Sequence, residues 1–222
     1  MHLFDISRNF MGGYAIVGGQ LPIAVGLALA IKYRKQSHVA LCFLGDGAVN
    51  QGEFHESMNL ASIWKLPVLF ILENNLYGMG SRFDRVRAGG EDFYPGAATY
   101  GIDHAAVVDG MDVVAVQEAT KLALESIRAG KGPAFIEAKT FRFQGHSVAD
   151  PVKYRDRSET EMWEARDPLK TFPRDLLDQD LFTEAELEEI RSSVDLEVAA
   201  AVKFAEDSPF PPDEELFTDI YA

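Results

Sequence analysis

Two short polar segments carry residue types suited to binding a metal ion and a phosphate. Gly45-Asp46-Gly47 directly follows one short apolar run, and Asn74-Asn75 follows the next such run along the chain. An Asp carboxylate, an Asn amide oxygen and a nearby backbone carbonyl are hard oxygen ligands, which suit Mg²⁺ rather than zinc. Because Mg²⁺ usually completes its coordination with phosphate oxygens and water, these residues predict a Mg²⁺-diphosphate site.

The glycines of the first segment favour the same chemistry. Gly45 and Gly47 have no Cβ atom, so the backbone and a metal can approach each other closely. The helix expected after Gly47 would direct its first amide groups to the same place, which favours an anion there. Each motif alone is a common turn, and their specificity comes from occurring together at the ends of two strands.

The elements that must position these motifs alternate between strand and helix. Continuous apolar runs predict strands, the first of them covered on both faces: Val39–Leu44, Val68–Leu72, Ala105–Val108 and Ala134–Lys139. Periodic segments predict the intervening helices: Leu21–Lys35, Asn50–Trp64 and Val113–Ala129. This alternation predicts an α/β fold, a parallel sheet with helices on both faces. Ligands of such sheets bind at the carboxyl ends of the strands, where Asp46 and Asn75 lie.

The chemistry of the chain changes after Thr140. A polar, irregular segment, Phe141–Arg157, is followed by two acidic helices, Pro168–Leu177 and Thr183–Ala205, the second with capping-box spacing at its start. We therefore expect an α/β domain over residues 1–150. A C-terminal acidic helical extension over residues 151–222 would pack on that domain or on a partner.

Charge and composition exclude several function classes. A net charge of −14 disfavours a nucleic-acid-binding role, because phosphate backbones repel such a surface. No apolar run reaches the roughly 20 residues that cross a bilayer, so we expect no membrane partner. The single cysteine, Cys42, cannot form an internal disulfide. It is expected to be a small buried side chain, and a cytoplasmic location (mitochondrial matrix in a eukaryote) is predicted.

Longer stretches of the sequence resemble a known family. GDGAVNQGEFHESMNLASIWKLPVLFILENNLYGMG is similar to the thiamin diphosphate motif, in which GDG, a helix, a strand and NN follow one another. Together with IVGGQLPIAVGLALA and FRFQGHSVADP, it resembles the α subunit of the decarboxylating component of 2-oxo acid dehydrogenase complexes. Within that family, NNLYGMG and GHSVADP are most similar to pyruvate dehydrogenase. The resemblance implies a thiamin diphosphate-binding fold.

The resemblance also implies roles for residues of the two motifs. Asp46, Asn75 and the backbone carbonyl of Tyr77 would hold Mg²⁺. Gly45, Gly47 and neighbouring amides would hold the diphosphate of thiamin diphosphate. These positions match the family motif residue by residue.

Further implied roles fall outside the two motifs. Ile16 and Val17 would lie near the aminopyrimidine ring and the bend of the cofactor. His146 would lie in a mobile loop that closes over the cofactor, where it would assist proton transfer or guide the lipoyl group. Arg142 would brace that loop, and Ser147 matches a regulatory phosphorylation site of mitochondrial relatives.

The family resemblance implies an assembly rather than an isolated enzyme. A β subunit would complete an α₂β₂ heterotetramer, with cofactor at each α–β interface. The glutamate that activates the aminopyrimidine would belong to that β subunit. The assembly would oxidatively decarboxylate a small 2-oxo acid and transfer the acyl group to a lipoyl domain of the acyltransferase component.

Other interpretations stay open at this stage. The chain could serve an acetoin or branched-chain 2-oxo acid dehydrogenase, or be an inactive truncated paralogue. Family α chains continue upstream of Met1 with further diphosphate contacts, which predicts an N-terminally truncated cofactor domain. Ala15 stands where relatives often have glycine. A Mg²⁺-dependent phosphate-ester enzyme would need a nucleophile or base beside Asp46, and the sequence shows neither a second carboxylate cluster there nor a P-loop.

Overall fold

The computed structural model describes residues 3–218 and 220, and the chain divides into two compact units, Met1–Lys170 and Thr171–Ala222. The first unit contains six strands: β1 (Ala40–Gly45), β2 (Val68–Asn74), β3 (Tyr77–Gly78), β4 (Ser81–Arg82), β5 (His104–Asp109) and β6 (Ala134–Lys139). Four of them form one parallel sheet in the order β1-β2-β6-β5, and β3 and β4 form a short antiparallel hairpin. The four predicted strands are confirmed to within two residues at each end.

Helices cover both faces of the sheet, which confirms the predicted α/β fold. The covering helices are α1 (Gln20–Tyr33), α2 (Gly52–Ile63) and α3 (Val113–Arg128), and a further short helix, α4 (Arg157–Glu164), follows the last strand in the chain. The larger apolar core joins α1 and α2 to one face of the sheet, where Phe70 and Phe135 are almost fully buried. A smaller core joins α3 to the other face through Ala123 and Ile127.

The first strand differs from its prediction. We expected β1 to be covered on both faces, but its residues alternate between buried and exposed. Leu41 and Phe43 are 51% and 54% exposed. The cause is the strand order, since β1 lies at the edge of the sheet while α3 packs on β2, β5 and β6. The two interior strands, β2 and β6, have the nearly continuous burial that a strand covered on both faces requires.

Two regions contain regular structure that the sequence did not predict. The segment from Tyr77 to Pro95, whose glycines and charges show no steady hydrophobic period, contains the β3–β4 hairpin and the 3₁₀ turn Phe83–Arg85, and the 3₁₀ turn Tyr94–Tyr100 begins at its end. Helix α4 also lacked a prediction, because its eight residues are polar and none of them is buried. No helix among the described residues is long and apolar enough to cross a bilayer.

The C-terminal helices agree with their predictions. They are α5 (Pro168–Asp178) and α6 (Glu184–Asp207). The capping box of α6 is confirmed, because the Thr183 hydroxyl accepts from the Glu186 amide while the Glu186 carboxylate accepts from the Thr183 amide at 2.8 Å.

Candidate functional site

The parallel sheet brings the two polar motifs to the same edge. In the register of β1 and β2, Gly45 lies opposite Glu73. Asp46, which follows the last residue of β1, therefore lies beside the end of β2, where Asn74 and Asn75 lie. Asp46 opens the short 3₁₀ turn Asp46–Asn50, which leads through Gln51 into α2. The sequence prediction that the strand ends gather these side chains is thus met by the fold.

The Asp46 carboxylate is buried without a cationic side chain to balance it. Its residue is 5% exposed, and no Lys, Arg or His among the described residues lies within ion-pair distance. Burial raises the pKa of Asp46 above its usual range, while the Gly47 amide and its own backbone amide act in the opposite direction. A buried carboxylate in this state stabilises a cation placed beside it, because little water competes for the charge.

Two glycine backbones meet next to this carboxylate. A Cβ atom on Gly47 would lie 3.6 Å from the Cα of Gly78, and the converse distance is the same. The GDG turn and β3 therefore approach each other as backbone against backbone. A β-carbon at either position would be in van der Waals contact with the other backbone, so the two glycines keep the space between these segments open.

The turn after β2 is shaped by two consecutive asparagine side chains. Asn74 Oδ1 accepts from the Leu76 amide at 3.1 Å, and Asn75 Oδ1 accepts from the Tyr77 amide at 3.0 Å. Such Asx turns stabilise Leu76 in a left-handed conformation with φ of 68°. One carbonyl lone pair of Asn75 is left for another partner, since an amide oxygen accepts two hydrogen bonds.

The chemistry of these residues suits the binding of Mg²⁺ together with a diphosphate. The donors are of the right kind: one carboxylate, one amide oxygen and the backbone carbonyl of Tyr77, with a glycine-lined approach. The described residues contain no group of three or more His, Cys, Asp or Glu side chains that could hold a metal without help. A metal ion here would need phosphate oxygens and water to complete its coordination, which is the usual arrangement for Mg²⁺.

Ile16 and Val17 lie in the turn that precedes α1. Both side chains are largely exposed, at 74% and 56%. Gly18 adopts φ of +90°, and a Cβ atom on it would lie 3.2 Å from the Cβ of Gln51, the residue directly before α2. The turn is therefore held against the start of the helix that follows the GDG motif, and its apolar side chains are free to contact a bound ring.

Arg142 and His146 lie in a separate loop that is closed by its own hydrogen bonds. Arg142 Nη2 donates to the His146 carbonyl at 2.9 Å, and the His146 amide donates to Asp150 Oδ2 at 2.8 Å. The hydroxyl of Tyr154 and the amide of Val152 also donate to Asp150, and these bonds together lower the pKa of its carboxyl. The His146 ring is exposed, so the loop fixes the backbone and leaves the imidazole available.

Aromatic rings join the His146 loop to the segment that follows the Asn74-Asn75 turn. The ring centroids of Tyr77 and Tyr154 are 5.6 Å apart, and the Tyr77 hydroxyl donates to Glu159 at 2.8 Å. Burial, and then the hydrogen bond to Glu159, raise the pKa of Tyr77. The structure thus brings Asp46, Asn75 and Tyr77 together, with the His146 loop beside Tyr77. It records no contact between His146 and the carboxylate of Asp46.

A buried polar network beneath the site was missed at the sequence level. Glu137 is fully buried on β6 and accepts from Asn74 Nδ2 at 2.6 Å and from Lys139 Nζ at 2.8 Å. Burial opposes the charge of Lys139, but the carboxylates of Glu137 and Asp92 outweigh it and raise the pKa of this lysine. The available signal was a glutamate within an apolar strand, since carboxylates are almost never fully buried unless they are paired.

Cys42 has the structural role that the sequence predicted. It lies on β1 facing the larger core and is 3% exposed. Burial raises its pKa to about 12, so the thiol stays protonated at neutral pH. It takes no part in the candidate site.

Comparison with known proteins identifies the family. Residues 1–214 match the family described as Dehydrogenase E1 component. The chain belongs to this family. The match covers both polar motifs and the His146 loop, and the family is thiamin diphosphate-dependent. The resemblance inferred from the motifs is therefore confirmed at the level of the family.

Three similar proteins in this family are α subunits of the pyruvate dehydrogenase E1 component. The chain is 45% identical over 221 residues to the pyruvate dehydrogenase E1 component subunit alpha of Rickettsia felis, covering 100% of this chain and 67% of that protein. The subunit of the same name from Zymomonas mobilis is 44% identical, covering 99% and 62%. The chloroplastic subunit alpha-3 of Oryza sativa is 41% identical over 231 residues, covering 100% and 54%. The chain thus spans between about half and two thirds of these relatives.

Proposed function

We propose that the chain is the α subunit of a pyruvate dehydrogenase and supplies the Mg²⁺-diphosphate half of a thiamin diphosphate site. The observation that carries the proposal is the buried, unbalanced Asp46 carboxylate at the end of β1, beside Asn75 and the glycine-lined approach. Agreement in name among relatives at 41–45% identity supports pyruvate as the substrate.

The chain's own residues would act by binding and positioning. Asp46, Asn75 and the Tyr77 carbonyl would hold Mg²⁺, while Gly45 and Gly47 would leave their amides open to the diphosphate. Thiamin diphosphate, when bound, acts as an electron sink for the carbanion that decarboxylation of a 2-oxo acid creates. The protein supplies orientation and electrostatics around that chemistry.

The remaining predicted residues would act at the other end of the cofactor. Ile16 and Val17 present exposed apolar side chains that suit the edge of an aminopyrimidine ring. His146 would hold or deliver a proton near the reacting centre, or guide the lipoyl group. Arg142 would keep the His146 carbonyl in place through the hydrogen bond already present.

The proposed assembly is an α₂β₂ heterotetramer that donates its acyl group to a lipoyl domain. The resemblance to the family places the glutamate that activates the ring on the β subunit, so a separate chain would supply it. We also propose a cytoplasmic location, which the single buried thiol favours because such a chain needs no oxidising compartment.

The test is an assay of substrate-dependent reduction of an artificial electron acceptor by the chain co-expressed with the β subunit from the same source. Pyruvate, a branched-chain 2-oxo acid and acetoin are offered with thiamin diphosphate, Mg²⁺ and an artificial electron acceptor. Turnover of pyruvate that is lost in Asp46→Ala and kept in Asp103→Ala supports the proposal, since Asp103 is an exposed carboxylate away from the motifs. Preference for either other substrate reassigns the enzyme within its family.

Two outcomes would contradict the proposal more deeply. An assembly that forms but turns over none of the three substrates supports the alternative of an inactive paralogue. Decarboxylation by the chain without any β subunit would contradict the two-subunit site. Titration of the assembly with thiamin diphosphate then separates loss of cofactor binding from loss of chemistry.

A further inference from the structure

The carboxylate of Glu137 is saturated with hydrogen bonds although it lies in the interior of the sheet. Oε1 accepts from Asn74 Nδ2 at 2.6 Å and Lys139 Nζ at 2.8 Å, and Oε2 accepts from the amides of Phe93 and Tyr94 at 2.7 and 2.8 Å. A buried charge with this many donors is fixed in position, because any rotation would leave several of them unpaired.

One of these bonds determines how the amide of Asn74 is oriented. The Nδ2 group of Asn74 donates to Glu137 and to the Glu91 carbonyl, at 2.6 and 3.0 Å. Its oxygen is thereby directed to the opposite side, where it accepts from the Leu76 amide. Without the two acceptors at Nδ2, the amide could turn over and place its donor against the Leu76 N–H.

The Leu76 contact maintains the turn that carries the proposed metal ligands. Leu76 has a left-handed φ of 68°, which is unfavourable for a side chain with a β-carbon. The hydrogen bond from its amide to Asn74 offsets that strain. Asn75 and Tyr77 flank Leu76, so the conformation of this one residue sets the relative positions of both.

We propose that Glu137 is a positioning residue for the metal site, acting through the Asn74 amide on the turn that presents Asn75 and Tyr77. This inference rests on the proposed function, since it assigns a supporting residue to the same site. Its physical basis is that substitution of a group that orients metal ligands typically lowers metal affinity about 10- to 100-fold.

A Glu137→Gln substitution keeps the size of the side chain and removes half of its acceptors. The new amide has one oxygen, which can serve either the Phe93 and Tyr94 amides or the Asn74 and Lys139 groups. Its NH₂ then faces donors on the other side. We expect the affinity for Mn²⁺, measured in the presence of thiamin diphosphate, to fall by about 10- to 100-fold.

The experiment measures free Mn²⁺ by electron paramagnetic resonance in the chain assembled with its β subunit, with excess thiamin diphosphate. Circular dichroism at the titration temperature first verifies that each variant is folded. Glu118→Gln, the same change at an exposed position of α3, is the matched control and should bind Mn²⁺ as the unsubstituted assembly does. Lys139→Met is a second variant at the half-exposed rim of the network. It should weaken Mn²⁺ binding through the same carboxylate.

The outcomes separate the inference from the function on which it rests. If the unsubstituted assembly binds Mn²⁺ and folded Glu137→Gln and Lys139→Met bind it equally well, Glu137 has only a structural role and the inference is wrong. If Glu137→Gln fails to fold, the Lys139→Met result decides in the same way. If the unsubstituted assembly binds no Mn²⁺ with thiamin diphosphate, the proposed function fails, and the inference fails with it.

Discussion

The substitution Asp46→Asn should stabilise the empty chain while it abolishes ligand binding. Burial raises the pKa of Asp46 above 3.8, the value expected for an aspartate in the unfolded chain, so the folded chain binds a proton there more readily than the unfolded chain. The contribution of Asp46 to stability therefore falls as pH rises from about 3.8 through the raised pKa, and it stays lost at pH 7. Asparagine has nearly the same shape and no charge to bury.

The size of this effect follows from the surroundings of the carboxylate. A buried polar group without a partner costs about 1–3 kcal/mol, and more when it is charged, while two backbone hydrogen bonds that favour the charged form of Asp46 offset much of that cost. We expect a net gain of about 1 kcal/mol, which in a chain of this length raises the melting temperature by about 2–4 °C. For the unsubstituted assembly, ligand at 100 times its Kd adds about 2.7 kcal/mol, or about 5–11 °C.

Differential scanning calorimetry with and without Mg²⁺ and thiamin diphosphate measures both effects. Measured on the chain alone, the melting temperature gives the effect of the substitution without ligand. Measured on the assembly with the β subunit, it gives the rise in melting temperature that ligand binding causes. Asp103→Asn is the matched control at an exposed position and should change neither quantity. Two results would refute the account of Asp46 as a buried charge that binds a cation. One is that ligand still raises the melting temperature of the Asp46→Asn assembly, and the other is that the Asp46→Asn chain melts at a lower temperature than the unsubstituted chain without ligand.

Three further predictions concern the surrounding structure. Above pH 9.0 the unfolded chain loses the Cys42 proton while the folded chain keeps it up to a pKa of about 12, so alkaline unfolding titrations should show a stability loss of about 1.4 kcal/mol per pH unit that is missing in Cys42→Ala. Gly145→Ala would place a Cβ atom 2.9 Å from the Cβ of Asp150, so limited proteolysis should cut this loop faster, whereas Gly90→Ala, with open space around it, should not change the rate. Thr183→Ala removes the cap of α6 and should lower the protection of its first turn against hydrogen exchange by about 1 kcal/mol; protection equal to that of the unsubstituted chain would contradict the capping geometry.

The sequence predicted those parts of the fold that depend on local pattern. The strands before Asp46 and Asn75 are recognisable because continuous apolar runs end abruptly at polar turn residues. Their meeting at one edge then follows from the parallel arrangement. The exposure of Leu41 and Phe43 could not be predicted, because it depends on the order of strands in the sheet and on where α3 packs.

Some residues of the candidate site could likewise be predicted from local sequence, and others depend on the fold. The proposed ligand residues Asp46 and Asn75 belong to short motifs that are recognisable in the sequence. The support of Asn74 by Glu137 joins residues that are far apart in the chain, and the pairing of β2 with β6 brings them together. The Asp150 contacts of the His146 loop depend on backbone amides, which carry no signal in the residue types.

In the proposed site, Mg²⁺ and thiamin diphosphate would be each other's effectors. The described residues contain no group of three or more His, Cys, Asp or Glu side chains that could hold a metal by itself, so Mg²⁺ would need the diphosphate to complete its coordination. Thermodynamic linkage requires that the factor by which Mg²⁺ tightens cofactor binding equals the factor by which the cofactor tightens Mg²⁺ binding. Occupancy at low concentrations then follows the product of the two concentrations, so a fall in free Mg²⁺ would empty the site even where the cofactor is plentiful.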